Sequence, residues 1–366
     1  AVGARALSVK KALWLAALFD FLGAIIFGRF VSLTLLKGIV DTSAIESAYI
    51  VVVGMVSALF ATALWVVLAT LLKVPMSISQ AIVGGVMGFG IIVVGVEGVN
   101  WSKLFEIIAS WIYLPFLSII ISITLYKLFT TMIARLDRLR LLILAISFFY
   151  IMVFTSTFLL NVKTLKISDL AYAVSSSLAI STLFTLVYTV YIYRTMPIEI
   201  DGAKDYVFKI LLIASCAAMA FSHGANDVAN SAGPFSGIIY AVYRGSIPRE
   251  AVTIPFNALA LSAMGIALGI LIWGYSVVET IGEKITTLTI ETAFIAQFSA
   301  SISTLIVTRL GLPVSTTVAI VGAITGVGLA RGIKSVNFKT LFKIISMWFI
   351  GFPVVAGITA FITYIL

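Results

Sequence analysis

The chain has one cysteine, Cys216, and one histidine, His223, in 366 residues, and only 11% of it is Asp, Glu, Lys or Arg. A single cysteine excludes an intramolecular disulfide, and one cysteine with one histidine leaves too few ligands for a zinc cluster. Soluble domains carry about 25% charged residues, so the low charge leaves too little polar surface to cover a globule in water. Hydrophobic residues make up 61% of the sequence, and the mean hydropathy is +1.17. The composition predicts an all-α, multi-pass protein of the cell membrane, with the lipid bilayer as its partner. The 24 Lys and Arg against 15 Asp and Glu give a net charge of +9. In a membrane protein that excess belongs in cytoplasmic loops, so nucleic acid is not an expected partner. With no metal triad and no activated nucleophile, an enzyme is not expected, and no resident cofactor is called for.

Apolar runs at about residues 11–36, 45–72, 104–127, 141–160, 169–193, 206–222, 250–278, 292–310 and 338–366 predict nine spans, each near the roughly 20 residues a helix needs to cross. Between them, residues 74–99, 230–243 and 313–330 are apolar but rich in Gly or interrupted by Pro. These read as broken or re-entrant segments. Lys127, Arg135, Arg138 and Arg140 crowd one stretch that reads as a cytoplasmic anchor.

An internal duplication is the most informative feature. Residues 75–90 and 313–328 align at a constant offset of 238 with 8 of 16 positions identical, including Pro75 with Pro313, Ser77 with Ser315, and Gly84, Gly88 and Gly90 with Gly322, Gly326 and Gly328. Upstream, Gly28, Val31 and Thr34 match Gly274, Val277 and Thr280 at an offset of 246. The chain is therefore divided into a first repeat, residues 1–127, connecting helices, residues 128–205, and a second repeat, residues 206–366. Repeats of this kind are the sequence sign of a transporter whose site lies near the midplane and uses interrupted helices.

The chemistry of the repeats supports that reading. Backbone that leaves a helix inside the bilayer is tolerated only where protein, water or a ligand satisfies it. Pro75 and Pro313 each open a hydroxyl run, Ser77 and Ser79 with Gln80 in one half, Ser315, Thr316 and Thr317 in the other. Proline suits the first turn of a helix, and the N–H groups and dipole that follow can face an anion. The rival reading is a pair of kinked helices whose hydroxyls bond back to their own carbonyls. A second constellation, Asn226, Asp227 and Asn230, interrupts an apolar run, where a carboxylate is costly enough to imply function. Asn226 and Asn230 share a face if the segment is a continuous helix. One carboxylate with amide and backbone oxygens suits a hard cation such as sodium; an interhelical polar clamp is the alternative. His223 reads as a hydrogen-bonded structural residue and Cys216 as an apolar packing residue.

Gly224-Ala-Asn-Asp-Val-Ala-Asn230 resembles the signature of the inorganic phosphate transporter (PiT) family, and the two P-x-S-x-[ST] openings resemble that family's paired hairpin tips. The resemblance covers essentially the whole chain. It implies an inverted-repeat transporter with two re-entrant helical hairpins and discontinuous helices, importing inorganic phosphate with sodium as the co-transported ligand. Carried over by position, it implies phosphate binding by Ser77, Ser79, Gln80, Asp227, Ser315, Thr316 and Thr317. It also implies sodium at Asn226, Asp227 and Asn230, and coupling or gating by Asp20 and Glu291.

Departures from the family pattern matter. Gln80 and Val318 stand where many relatives have histidine, which favours sodium over proton coupling. The family carries its signature helix in both halves, whereas this sequence has only the second. Ala1–Gly3 matches about Phe235–Gly237, so a counterpart of residues 213–234 is expected before residue 1. The field supports cation coupling independently: a divalent anion entering a cell at −100 mV climbs about 4.6 kcal/mol, which two sodium ions offset. Lys73 and Arg309, just before the prolines, are expected to snorkel to the interface. Proton-coupled phosphate transport, a sulfate permease of the same fold, and an anion channel or transporter-like sensor stay open as alternatives, as does a homodimer.

Overall fold

The computed structural model describes residues 1–45, 47–71, 76–133, 137–164, 170–245, 253–281, 285–308 and 310–366. Lys73, Pro75, Arg135 and Arg309 lie outside them. Among the described residues the regular structure is helical: α1 (Val9–Phe27), α2 (Arg29–Lys37), α3 (Ala48–Leu71), α4 (Ile78–Val93), α5 (Trp101–Ile133), α6 (Arg138–Thr164), α7 (Leu170–Thr195), α8 (Ile200–Asp227), α9 (Ala229–Arg244), α10 (Phe256–Ile281), α11 (Ile290–Thr308), α12 (Thr316–Arg331) and α13 (Phe338–Ile365). Eight stretches are long and apolar enough to cross a membrane, and the bent pair α1–α2 makes a ninth.

Two stretches differ from the sequence expectation. The run at 11–36 is not one straight span, because α1 and α2 meet at Gly28 with a bend of 65°. A Cβ at Gly28 would stand 2.1 Å from Val228 Cγ1, so glycine lets the bend nestle against the α8–α9 junction. Residues 230–243, expected to be irregular, form the regular helix α9 with Pro234 inside it. The irregularity upstream is the single residue Val228, whose backbone stays helical (φ −57°, ψ −27°), and Pro234 sits close enough to the start of α9 for the chain to absorb its missing N–H.

The repeat recurs in the contacts, within one residue of the sequence offsets. The Asn100 N–H donates to Ile39 O at 2.8 Å, and the Asn337 N–H donates to Ile285 O at 2.9 Å. Each asparagine side chain also caps its helix, to the Lys103 N–H at 3.0 Å and the Thr340 N–H at 3.1 Å. Helix α4 packs on α13, and α12 packs on α5. Gly84 and Gly88 lie against the carbonyls of Phe352 and Ala356, and Gly322 and Gly326 against those of Pro115 and Ile119. Small residues four apart let helix backbones approach closely, the main source of adhesion where lipid removes the hydrophobic driving force. Each short helix is thus held by a long helix of the other half.

Helices α4 and α12 have 16 residues each, about 24 Å at 1.5 Å per residue, less than the roughly 30 Å of a hydrocarbon core. Each is therefore too short to cross a bilayer by itself. Phe129, Phe148, Phe208 and Phe294 form a buried aromatic cluster joining α5, α6, α8 and α11, with ring centroids 4.5 Å apart for Phe129–Phe148 and 5.6 Å for Phe129–Phe294. This cluster anchors α8 and α11, which carry much of the site.

Candidate substrate and ion site

Ser77 and Ser315 occupy the N-caps of α4 and α12. Their hydroxyls accept from the Gln80 N–H at 3.2 Å and the Val318 N–H at 3.3 Å. The two caps match because the local sequences match: an extended Ser two residues after a proline in the sequence, then a helix-forming run. A capping hydroxyl uses one lone pair and keeps its proton for another acceptor. The two helix starts therefore offer O–H donors, N–H groups and positive dipole ends to an anion.

One turn further on, the hairpins touch. Ser79 Oγ donates to Val314 O at 3.1 Å and accepts from Asn230 Nδ2 at 3.2 Å. Asn226 Nδ2 donates to the same Val314 carbonyl at 2.6 Å and to Asp227 Oδ1 at 2.7 Å. Thr308 Oγ1, at the end of α11, donates to Asn226 Oδ1 at 3.3 Å. Ser79, Asn226 and Asn230 are 1%, 0% and 6% exposed, so these bonds form away from lipid and water. The α8–α9 segment thereby sits between the two hairpin tips; Val228 keeps helical backbone (φ −57°, ψ −27°), and Asn226 and Asn230, one turn apart, both face the tips.

Several oxygens here lack donors. Gln80 Oε1 and Asn230 Oδ1 are buried without a hydrogen-bond partner, each at a cost of about 1–3 kcal/mol if nothing offsets it. The carbonyl of Asn230 also lacks its usual i+4 donor, because residue 234 is proline. Underused acceptors on the segments that meet at the Asn–Asp motif suit a hard cation.

His223 stands one turn before Asp227 on α8. Its Nδ1 contacts Asp20 Oδ1 of α1, and its Nε2 lies 3.3 Å from Asp227 Oδ2. Asp20 and Asp227 are 3% and 9% exposed. The approach of α1 to α8 is set by glycine: a Cβ at Gly23 would lie 2.0 Å from Phe221 O, and one at Gly224 would lie 1.9 Å from Asp20 O. Only this close crossing lets one imidazole face both carboxylates.

Two cavities adjoin this pair. One, of about 470 Å³, is lined by Asp20, Cys216, His223, Gln297, Thr316 and Thr317 among others. The other, of about 910 Å³, reaches His223, Asp227 and Asn230 from between α3 and α10. Among the described residues, no Lys or Arg lines either one. An anion here would be balanced by helix ends, hydroxyls and co-bound cations.

The structure thus brings Ser79, Asn226, Asp227 and Asn230 into one bonded group, with Ser77, Gln80, Ser315, Thr316 and Thr317 at the adjoining helix starts and Asp20 linked through His223. Glu291 is different. It lies in the first turn of α11, 17 residues before Thr308 and about 25 Å away along the axis, so it does not touch the group. Sequence reasoning missed Thr308, the Val314 carbonyl and the bridging position of His223. Thr308 could have been found, because it matches Thr70 at the same offset of 238. A backbone carbonyl leaves no such signal.

Comparison with known proteins agrees with this architecture. The profile of the phosphate transporter family matches residues 1–359. A putative phosphate permease of Thermococcus kodakarensis is 36% identical over 379 residues, covering 100% of this chain and 91% of that protein. The chloroplastic inorganic phosphate transporter 2-1 of Arabidopsis thaliana is 30% identical over 396 residues, covering 100% of this chain and 67% of its own length. A solved structure described as the sodium-dependent phosphate transporter superposes with a TM-score of 0.93 at 38% identity, covering 100% of this chain and 91% of that one. With a family profile along nearly its whole length and full-length relatives above 30% identity, this multi-pass membrane protein is a transporter and belongs to the phosphate transporter family.

Proposed function

We propose that the chain imports inorganic phosphate together with sodium by alternating access. Phosphate binds between the starts of α4 and α12, held by Ser77, Ser79, Gln80, Ser315, Thr316 and Thr317, and Asp227 accepts a hydrogen bond from its protonated oxygen. Sodium binds at Asn226, Asp227 and Asn230. The two repeats, residues 1–127 and 206–366, move against each other, and Asp20 and Glu291 couple or gate the step. The observation that carries this reading is the Ser79–Val314 contact, which brings both hairpin tips to the α8–α9 segment that bears the Asn–Asp motif.

The chemistry favours sodium over protons as the driving ion. Asn230 Oδ1, three residues after Asp227, lacks a donor, Gln80 and Val318 cannot relay a proton, and the solved relative is described as sodium-dependent. The test is uptake of labelled phosphate by reconstituted protein in vesicles. Uptake should require an inward sodium gradient, persist without a pH gradient, and ignore excess sulfate. Uptake driven equally by potassium with a pH gradient would overturn sodium coupling. Equal competition by sulfate would overturn phosphate selectivity, and flux independent of any ion gradient would leave a channel.

A further inference from the structure

We infer that the groove between α1 and α10 is a binding site for an anionic phospholipid, with the headgroup at Lys10 and Lys11 and an acyl chain along the groove. The groove is a cleft of about 730 Å³ lined by Lys10, Lys11, Trp14, Leu18, Ala267 and Leu271, with Leu15, Ala17 and Phe21 completing its wall. Apart from the two lysines and the indole, every lining side chain is hydrocarbon. Trp14 and Leu18 are 60% and 55% exposed, so this wall faces the surroundings of the helix bundle. Those surroundings are lipid.

The lysines give the groove its chemistry. Both are exposed, and neither belongs to the ion pairs among the described residues. They sit in the first turn of α1, where the helix dipole disfavours positive charge, so helix stability does not explain them. Helix α1 runs parallel to α8, with Asp20 over Gly224 and Gly28 against Val228. The start of α1 therefore shares a membrane face with the start of α8 and with Arg138, whose guanidinium donates to Met196 O at 3.2 Å. That is the basic face, the one expected to be cytoplasmic. Basic residues above an apolar groove between transmembrane helices match a phosphate-bearing headgroup with an acyl tail, and Trp14 sits where an interfacial indole belongs. A tail in this groove packs along Ala17, Leu18 and Phe21, the segment of α1 that also carries the buried Asp20.

Native mass spectrometry of the full chain, purified with equimolar phosphatidylglycerol and phosphatidylcholine, tests the proposal. The wild type should retain phosphatidylglycerol over phosphatidylcholine by on the order of tenfold, from two lysines near the surface. The double substitution Lys10→Gln/Lys11→Gln should abolish the preference. Lys339→Gln/Lys343→Gln, which removes two exposed lysines that line no part of this groove, should leave it intact. Ala267→Phe, which fills the groove with the lysines in place, should lower retention of both lipids, and brominated phosphatidylglycerol should quench the wild type more than Trp14→Phe. Equal retention of the two lipids by the wild type would overturn the proposal, as would an unchanged preference in Lys10→Gln/Lys11→Gln or full retention in Ala267→Phe. Displacement of the lipid by millimolar inorganic phosphate would also overturn it, by making the lysines a site for a soluble anion.

Discussion

The two hairpins share a sequence motif but not an environment. In the apolar stretch of α11, 72% of residues are buried, against 39% in α3. The second tip is tied down from several directions: Thr34 Oγ1 donates to Gly311 O at 2.7 Å, Trp111 Nε1 to Pro313 O at 3.2 Å, and Asn226 and Ser79 to Val314 O. The first tip contributes Ser79, which reaches across to the second. Helix α3 instead borders the larger cavity and faces α10 across it. The same contrast appears between α1 and α10. Gly23 is pressed against α8, whereas its counterpart Gly269, 246 residues on, has no atom within 4 Å of where a Cβ would stand. Homologous segments can therefore do different work, one as a fixed frame and the other as the side that opens onto a cavity.

The largest effect tests what the two hairpins have in common. Asp227→Asn keeps the shape of the residue that both tips surround and removes its charge, so uptake in vesicles should fall to background while the protein remains monodisperse. Wild-type uptake would show that the tips do not meet at a working carboxylate.

Next come the glycines that seat each short helix. A Cβ at Gly88 would stand 2.2 Å from Ala356 O, while one at Gly326 would stand 2.7 Å from Ile119 O. Both substitutions to Ala should destabilise by about 1–3 kcal/mol, with Gly88→Ala the worse, measured as loss of thermal stability in detergent. The reverse order would mean that α5 is less yielding than α13.

The caps should behave alike. Ser77→Ala and Ser315→Ala each remove a helix-capping acceptor worth about 1 kcal/mol and a donor to the anion, so each should raise the phosphate concentration needed for half-maximal uptake. A change in only one would assign phosphate to a single hairpin. The smallest expected effect is that of Thr308→Val. Its 3.3 Å bond to Asn226 is long for a hydroxyl donor, so its loss should lower apparent sodium affinity by less than about fivefold, equivalent to roughly 1 kcal/mol. No change would make Thr308 a packing residue.

Much of this was legible in the residues. Ser77 and Ser315 could be placed at helix starts because capping is local chemistry, and Asp227 could be singled out because a carboxylate in an apolar run has few innocent explanations. The near-continuity of α8 and α9 through Val228 was not legible, since the Gly and Pro beside it permit several places for the chain to turn. The position of His223 was not legible either, since it depends on how closely Gly23 and Gly224 let α1 approach α8.

Composition and periodicity alone determined that the chain lives in lipid, that it is helical, and that two of its segments repeat, because backbone in hydrocarbon must satisfy itself within a helix. Which oxygens meet was decided only by tertiary structure. Ser79, Val314 and Asn230 are far apart in the chain, and their contact follows from glycine-seated crossings between helices of opposite halves, a packing property that no single segment encodes.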